Sequence, residues 1–418
     1  MKIKTGTILA GIATTMLLLV CCALPAAASD HTLEIFGNAN EDETINMQDV
    51  TYTELIILEY RDQTDLADGK HDGKINMQDV TQIELIILGI ELELAYLDCN
   101  GEVATVEKPI ERIVAVYDNT AEVIRILGAR DRVVGVDDLI MDYPTYFPEL
   151  GELPCVGSRW ELDVEAILEL DPNIVILGNS HTPTLEEDLV GTGIDVVRVC
   201  VFRDETPVHK MMRLGYILDE EENACEYLEW HLGKLAAIEE RVSDIPADEM
   251  PRVFVDRPGG STVSRGSGYS EAIETAGGIN IAADLVGGWE GVLPKVDPEW
   301  VLEQNPDVII GLSFNGGYET DDENVTKERY NEILGMPGFD NIRAVKDGKV
   351  YVTHYILIYA PGPGYQIGVA YTAKWLHPDL FEDLDPQAVH QEYIDRFQGI
   401  DFDVKEHGVF VYPTLEAS

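Results

Sequence analysis

From residue 97 onward, short apolar runs alternate with stretches in which apolar residues recur at helical spacing. The apolar runs, which are typical of buried strands, are 113–116, 133–136, 174–177, 196–201, 253–255, 308–310 and 350–352. Helical spacing marks the segments between them, at 121–127, 164–170, 270–276, 297–304, 326–335 and 364–376. Strands that alternate with helices are typical of parallel sheets, so the pattern predicts an α/β fold.

The alternation pauses at 204–245, a long stretch that is dense in helix formers and has few breakers. One unit occurs on both sides of this pause, as DVEAILELDPNIVI at 163–176 and DPEWVLEQNPDVII at 297–310. Each copy predicts a helix with an acidic N-cap, a proline turn and a buried strand. The duplication predicts two Rossmann-like lobes joined by one long helix. The predicted boundaries are 97–203 and 250–398 for the lobes, 204–249 for the linking helix region and 399–418 for a C-terminal tail.

Further segments of the large region carry a family resemblance: PIERIV at 109–114, AEVIRILG at 121–128 and VKDGKVY at 345–351. Together with the duplicated unit, they resemble the helix-linked (class III) periplasmic-binding-protein family. These proteins are the solute-binding components of importers for ferric siderophores, haem and cobalamin. The resemblance implies a protein that is not an enzyme, that holds its ligand between two lobes and that delivers it to an ABC permease in the membrane.

The resemblance also implies that one glutamate on each lobe contacts arginines of the permease. By position in the duplicated unit, these glutamates are Glu165 and Glu299. The alternative interpretation is a solvated acid in the first helical turn, which the helix dipole favours.

Ligands of α/β lobes lie beyond the carboxyl ends of the strands, so the residues that follow each apolar run are candidates for ligand contact. The candidates are Tyr117, Asn119, Arg159, Trp160, His181, Arg203, Arg257, Arg265, Trp289, Phe314 and Tyr355. Arginines among aromatic side chains suit a bulky, partly anionic chelate. We therefore expect a ferric-siderophore type of iron chelate, with a corrinoid or haem next. Salt bridges for the arginines and packing roles for the tryptophans are the alternatives.

Near the N-terminus, the string INMQDVT occurs twice, at 45–51 and 75–81, each time after alternating Asn and Asp residues. This spacing fits twelve-residue calcium loops, whose ligands stand at positions 1, 3, 5, 7 and 12. The first loop offers Asn38, Asn40, Asp42, the carbonyl of Thr44, and Asp49; the second offers Asp68, Asp72, the carbonyl of Lys74, and Asp79. Lys70 occupies position 3 of the second loop and cannot bind a cation, so we expect weaker calcium binding there. Ile45, at position 8, is expected to pair the two loops through a short strand contact.

Each loop leads into one apolar-striped helix, and Asp rather than Glu stands at position 12. Residues 31–90 therefore resemble dockerin modules, which are small all-α, EF-hand-like domains. The resemblance implies docking to a cohesin-type domain of another protein through positions 10 and 11, which are Met47, Gln48, Met77 and Gln78. The alternatives are a calcium-stabilised spacer without a partner, and a cell-surface assembly protein in which the lobes no longer transport.

Lys2 and Lys4 precede an apolar run at 8–24 and the small residues 26–28, a pattern typical of a secretory signal at 1–28. We therefore expect an exported protein at the outer face of the membrane or on the cell surface. The net charge of −48 excludes nucleic acid as a partner. Beyond the signal, Cys99, Cys155, Cys200 and Cys225 allow one or two disulfides, whose pairing the sequence does not give.

Overall fold

The computed structural model describes residues 32–98, 100–199, 207–358 and 362–415. The predicted signal segment lies outside the described residues, as do Cys99, Cys200 and the candidate ligand residue Arg203. Cys225 takes part in a disulfide bond, and Cys155 is an exposed free thiol. Within the described ranges, no helix is both long enough and apolar enough to span a membrane.

Residues 32–98 form a small module around the two repeated loops. Helix α1 spans Met47–Ile57 and helix α2 spans Met77–Leu88, and the two helices pack against each other. In both helices an asparagine N-cap, Asn46 or Asn76, accepts a hydrogen bond from the backbone N–H two residues later. The identical sequences therefore start both helices in the same way.

A hairpin of β1 (Glu93–Leu97) and β2 (Val103–Glu107) follows the module. The expected strand contact between the two loops is replaced by a different one. The backbone N–H of Ile45 donates to the hydroxyl of Tyr216, 2.9 Å away, and no β-bridge among the described residues joins Ile45 to Ile75. Tyr216 therefore binds the backbone N–H of Ile45 that a strand contact between the two loops would have used.

Lobe 1 contains four parallel strands in the order β4-β3-β7-β8. The strands are β3 (Ile113–Ala115), β4 (Val133–Val136), β7 (Ile174–Gly178) and β8 (Asp195–Val199), with a short pair of β5 (Gly157–Ser158) and β6 (Glu161–Leu162). The helices are α3 (Asp118–Ile126), α4 (Asp138–Met141), α5 (Val164–Leu170) and α6 (Leu185–Asp188). Ile174 and Ile176 enter one apolar core, and Val175 and Leu177 enter another. The sheet is therefore buried on both faces, as parallel sheets are.

Two helices, not one, connect the lobes: α7 (Pro207–Leu218) and α8 (Glu221–Val242). Asp219 between them has a φ of +57°, a left-handed conformation that ends α7. The sequence shows no sign of this break, because the region is dense in helix formers. Aspartate tolerates the left-handed conformation better than most residues, so no glycine is needed at position 219.

Lobe 2 is a five-stranded sheet in the order β10-β9-β11-β12-β13. Its strands are β9 (Arg252–Asp256), β10 (Ile279–Asn280), β11 (Val308–Ser313), β12 (Val350–His354) and β13 (Val411–Tyr412). Its helices are α9 (Tyr269–Thr275), α10 (Pro298–Gln304), α11 (Asn324–Leu334), α12 (Arg343–Lys346), α13 (Tyr355–Ile358), α14 (Tyr365–Leu376) and α15 (Pro386–Tyr393). Strand β13 pairs antiparallel with β12. The segment expected as a tail at 399–418 thus completes the sheet of lobe 2.

The lobes contact each other through residues 145–146 of lobe 1 and residues 318–319 of lobe 2. The ring of Tyr146 stacks on that of Tyr318, with centroids 3.9 Å apart and planes 6° apart. The carboxylate of Glu319 accepts hydrogen bonds from the backbone N–H groups of Thr145 and Tyr146, each at 3.0 Å. The hydroxyl of Tyr318 is hydrogen-bonded to Nε2 of His390 at 2.7 Å. The stacked rings and the hydrogen bonds of Glu319 join the two lobes across the cleft between them, and His390 holds the hydroxyl of Tyr318 within lobe 2.

Candidate functional site

The lobe 1 side of the cleft is an aromatic group around one arginine. Tyr117 ends β3 with a φ of +86°, and its ring centroid lies 5.0 Å from that of His181. The guanidinium of Arg159 lies 5.5 Å from the centroid of Tyr117 and 5.4 Å from that of Trp160. Trp160 also meets His181 edge to face, and it remains 54% exposed. Four of the predicted ligand residues therefore form one cluster.

Two buried nitrogen atoms of this cluster can form hydrogen bonds to a ligand. Nε of Arg159 and Nδ1 of His181 are buried and have no hydrogen-bond partner among the described residues. Burial, together with the charges of Arg159 and Arg198, lowers the pKa of His181 to about 4. His181 is therefore neutral at ordinary pH and can accept or donate one hydrogen bond.

Two buried carboxyl groups lie close enough to Arg159 to feel its charge. Burial raises the pKa of Asp118, and burial raises the pKa of Asp137 to about 7, while the charge of Arg159 opposes both shifts. Both residues follow strands of the lobe 1 sheet, β3 and β4. They were not among the predicted contacts, although their positions after strands could have marked them.

The lobe 2 side is built from Arg257, Phe314 and Tyr355, which follow β9, β11 and β12. The guanidinium of Arg257 lies 5.5 Å from the ring centroid of Phe314, which lies 5.4 Å from that of Tyr355. Nε of Arg257 is buried without a partner in the described part of the chain. Each lobe thus presents an arginine set against aromatic rings.

Tyr355 joins the two sides. Its hydroxyl donates to the carboxylate of Asp118 at 3.1 Å and lies 3.2 Å from the hydroxyl of Tyr143. Tyr143 lies in the chain segment after α4, so no strand-end argument could have found it. The rims of the cleft meet through these three side chains.

Asn119 lies in the first turn of α3, where it lines a small cavity with Tyr117, Lys210 and Leu214. Arg265 forms ion pairs with Glu274 and Asp284 at the surface of lobe 2, which matches the salt-bridge interpretation of that arginine. Trp289 lies in a half-exposed turn at 289–291 of the same lobe. Ligand contacts by these residues and by Arg203 stay predictions.

Glu165 and Glu299 occupy equivalent exposed positions in the first turns of α5 and α10. Each helix ends at a left-handed residue, Asp171 or Asn305, with a φ of +46° in both cases. The duplicated unit therefore presents an exposed acid near the start of its helix in each lobe.

The first of the two predicted calcium loops is held in place by its own hydrogen bonds. The carboxylate of Asp49 is fully buried and accepts the backbone N–H groups of Asn40 and Asn46. Burial raises the pKa of Asp49 to about 6. The amide nitrogen of Asn38 donates to two carbonyls, those of Leu33 and Asp42, while its oxygen is buried without a partner in the described residues. An oxygen fixed in this way fits a hard cation such as calcium.

The second loop is arranged differently. The carboxylate of Asp68 accepts the backbone N–H groups of Asp72 and Gly73, and that of Asp79 accepts those of Lys70 and Asn76. The carboxylate of Asp68 is thus occupied by its own loop. Within the described ranges, no group of three or more His, Cys, Asp or Glu side chains is placed to hold a metal ion, so the first loop depends on asparagine and carbonyl oxygens as well.

The predicted docking residues of the module are on its surface. Met47 and Met77 are half exposed, and Gln48 and Gln78 are exposed. Met47 and Gln48 line a groove of about 360 Å³ together with Thr51, Tyr52, Leu55 and Arg61.

Two α/β lobes with mainly parallel sheets are linked by helices and bring arginines and aromatic rings together between them. These features define a two-lobed solute-binding protein. The chain belongs to the periplasmic binding protein family, whose model matches residues 113–357.

Two relatives and one solved structure are similar to this chain. The molybdate-binding protein MolA of Haemophilus influenzae is 24% identical over 328 residues, covering 70% of this chain and 87% of that protein. A cobalamin-binding protein of Halobacterium salinarum is 30% identical over 219 residues, covering 51% of this chain and 57% of the relative. The TroA-like periplasmic binding protein FepB from Veillonella parvula shares the fold, with a TM-score of 0.62, 21% identity and coverage of 76% of this chain and 98% of that one.

Proposed function

We propose that the protein is the extracytoplasmic solute-binding component of an ABC importer and that it holds an anionic metal chelate of the ferric-siderophore type between its lobes. The observation that carries the proposal is the pair Arg159 and Arg257, one from each lobe. Each guanidinium is set against aromatic rings and has a buried Nε without a partner in the described chain. Guanidinium groups fork onto carboxylate or phosphate oxygens, and aromatic faces pack on planar ligand parts.

A corrinoid or haem is the next ligand class, and one relative is named a cobalamin-binding protein. A small oxyanion is a second candidate. Direct contacts of Tyr355 with Asp118 and Tyr143 draw the rims of the cleft together, which favours a compact ligand. One relative is named a molybdate-binding protein, which agrees with this candidate.

The ligand class can be tested by tryptophan fluorescence, because Trp160 stands beside Arg159. The full chain without its signal would be titrated with a ferric hydroxamate, haemin, cyanocobalamin, molybdate and, as a control, sulfate. Saturable quenching by the ferric hydroxamate alone is the expected result. Quenching by molybdate alone would show that the ligand is a small oxyanion and not a chelate. The absence of quenching by every compound would overturn the proposed receptor role for these ligands.

Calcium in the first loop is the second part of the proposal. The oxygens of Asn38, Asn40, Asp42 and Asp49 and the carbonyl of Thr44 would hold the ion, and the second loop would bind more weakly because Lys70 stands at a ligand position. Isothermal titration with calcium should show loss of the tighter site in Asp49→Ala and its retention in Asp79→Ala. Equal effects of both substitutions would contradict this ranking.

Docking of the module to a cohesin-type domain is the third part, supported by the exposure of Met47, Gln48, Met77 and Gln78. A cohesin-type domain immobilised on a biosensor should bind the full chain in calcium and release it in a chelator. Because the two faces are equivalent in sequence, binding should survive a change at 47–48 or at 77–78 alone and fail when both are changed. An assembly role without transport would require such docking together with an inactive cleft.

A further inference from the structure

The calcium module is joined to the binding lobes by a buried contact at its first loop. The hydroxyl of Tyr216, on α7, receives the backbone N–H of Ile45 at 2.9 Å and lies 3.5 Å from the carbonyl of the same residue. Ile45 follows Thr44, whose carbonyl is a proposed calcium ligand, and precedes Asn46, whose N–H holds the carboxylate of Asp49. The tyrosine therefore contacts the backbone between two elements of the proposed calcium site.

The junction around this contact is tightly closed. The buried ammonium group of Lys108 pairs with Glu91 and Asp219 and donates to the carbonyl of Tyr216 at 2.7 Å. Arg213, also on α7, donates to the carbonyl of Leu97 at 3.2 Å. A module held by a buried ion cluster and backbone bonds cannot move freely on a tether.

Helix α7 also reaches the ligand cleft. Lys210 and Leu214 lie on one face of α7 and line a small cavity together with Tyr117 and Asn119 of lobe 1. Tyr117 is the residue whose ring meets His181 and Arg159 in the cleft. One helix thus contacts the first calcium loop near its end and the wall of the cleft near its middle.

We propose that calcium binding in the first loop stabilises α7 through Tyr216, so that the module is a calcium-dependent brace of the binding lobes. The inference rests on the calcium site proposed above. An ion that binds only the folded loop favours every state in which that loop is folded. Tyr216 is hydrogen-bonded to the loop backbone, so local unfolding of α7 breaks this bond and destabilises the folded loop. Calcium binding stabilises the folded loop and therefore opposes local unfolding of α7. The coupling is reciprocal, so loss of the contact weakens calcium binding by the same factor.

Hydrogen exchange of the full chain, read at 207–218 with calcium and with a chelator, tests the brace. We expect slower exchange in calcium, by at most about a hundredfold when calcium is 100 times its Kd. Tyr216→Phe should still bind calcium, as measured by titration calorimetry, but should lose most of the calcium-dependent protection of α7. Asp49→Ala should lose it entirely, and Asp79→Ala should retain it.

A matched control is Tyr227→Phe on α8. Its buried hydroxyl donates to the carbonyl of Pro363, away from the module, so this variant should keep the full calcium response. Calcium binding without any change in the exchange of α7 would overturn the brace and leave the calcium site standing. Failure of the chain to bind calcium would overturn both, and the calorimetric titration separates the two results.

Discussion

Each lobe has a buried arginine that holds backbone carbonyl groups near the strand ends and pairs with an acid, but the two acids are placed differently. In lobe 1, Arg198 on β8 donates to the carbonyls of His181 and Thr182 and pairs with Glu186. In lobe 2, Arg329 on α11 donates to the carbonyl of Leu312 at 3.2 Å and pairs with Asp256.

The acids differ in their access to water. The side chain of Glu186 is 46% exposed, whereas that of Asp256 is 5% exposed. Burial raises the pKa of Asp256 to about 6 even with Arg329 beside it. If its arginine is removed, the exposed carboxylate of Glu186 can be hydrated instead, whereas the buried carboxylate of Asp256 cannot. The two arginine anchors therefore differ in how much the fold depends on them.

Removal of each anchor should give the largest difference between the lobes. Arg329→Met leaves Asp256 buried without its cation, which should cost about 3–5 kcal/mol of stability. Arg198→Met leaves Glu186 free to be hydrated and removes hydrogen bonds to carbonyls, at about 1–2 kcal/mol. Urea unfolding followed by circular dichroism measures both variants. Equal costs, or a larger cost for Arg198→Met, would contradict this account of the two anchors.

Substituting the arginine of each lobe, Arg159 or Arg257, measures how much that lobe contributes to ligand affinity. Charge-assisted hydrogen bonds contribute about 1.5–3 kcal/mol, so Arg159→Ala and Arg257→Ala should each weaken binding by about 10- to 100-fold. Arg252→Ala is the matched control, because Arg252 is exposed at the opposite end of β9 from Arg257. Calorimetry with the compound that quenches tryptophan fluorescence gives the affinities. An effect confined to one lobe would show that the ligand is held by that lobe alone.

Two buried carboxyl groups of lobe 1 should make the stability depend on pH above neutrality. Burial raises the pKa of Glu122 to about 8 and that of Asp137 to about 7. Both groups bind protons more tightly in the folded chain than in the unfolded one. Their stabilising contribution is therefore complete below their ordinary pKa values near 4 and is lost as the pH rises through 7 and 8. The urea midpoint should rise as the pH falls from 8 to 7, with each group contributing up to about 1.4 kcal/mol per pH unit.

Glu122→Gln isolates this effect, because the amide oxygen can still accept the hydrogen bond from Tyr146. The variant should be more stable than the natural chain at pH 8 and should depend less on pH. Glu169→Gln removes an exposed negative charge and controls for the general relief of repulsion. A slope that is the same in both variants would assign the pH dependence to net charge instead.

The acids predicted to dock on the permease, Glu165 and Glu299, should show the smallest effect per residue. Exposed ion pairs contribute about 0.2–1 kcal/mol, so Glu165→Ala or Glu299→Ala alone should reduce uptake at most about fivefold, and the double variant more. Glu169 and Glu303, exposed acids in the last turns of the same helices, provide a control pair with the same change in charge. Uptake by the reconstituted importer is the measurement. Equal losses in the two pairs would reduce Glu165 and Glu299 to ordinary surface acids.

Local pattern was sufficient for the helix of the duplicated unit in both lobes. The duplicated unit predicted helices at 164–170 and 297–304, and the structure has them at Val164–Leu170 and Pro298–Gln304. Acidic N-caps, proline turns and alternating apolar residues act between neighbours in the chain, so they can be read from one segment. The cluster of Tyr117, Arg159 and His181 followed from the rule that ligands lie beyond strand ends.

Contacts between distant segments were decided only in the tertiary structure. The sequence determined two lobes, a repeated loop-and-helix module and the strand-end residues of the cleft, because each depends on spacing over a few residues. It did not show that Tyr143 joins the rims, that residues 411–412 complete the sheet or that Tyr216 takes the backbone of Ile45. Such contacts join residues that are far apart in the chain, and they depend on how whole elements pack together. The local sequence around each residue would be the same if it contacted a different partner, so it does not reveal the contact.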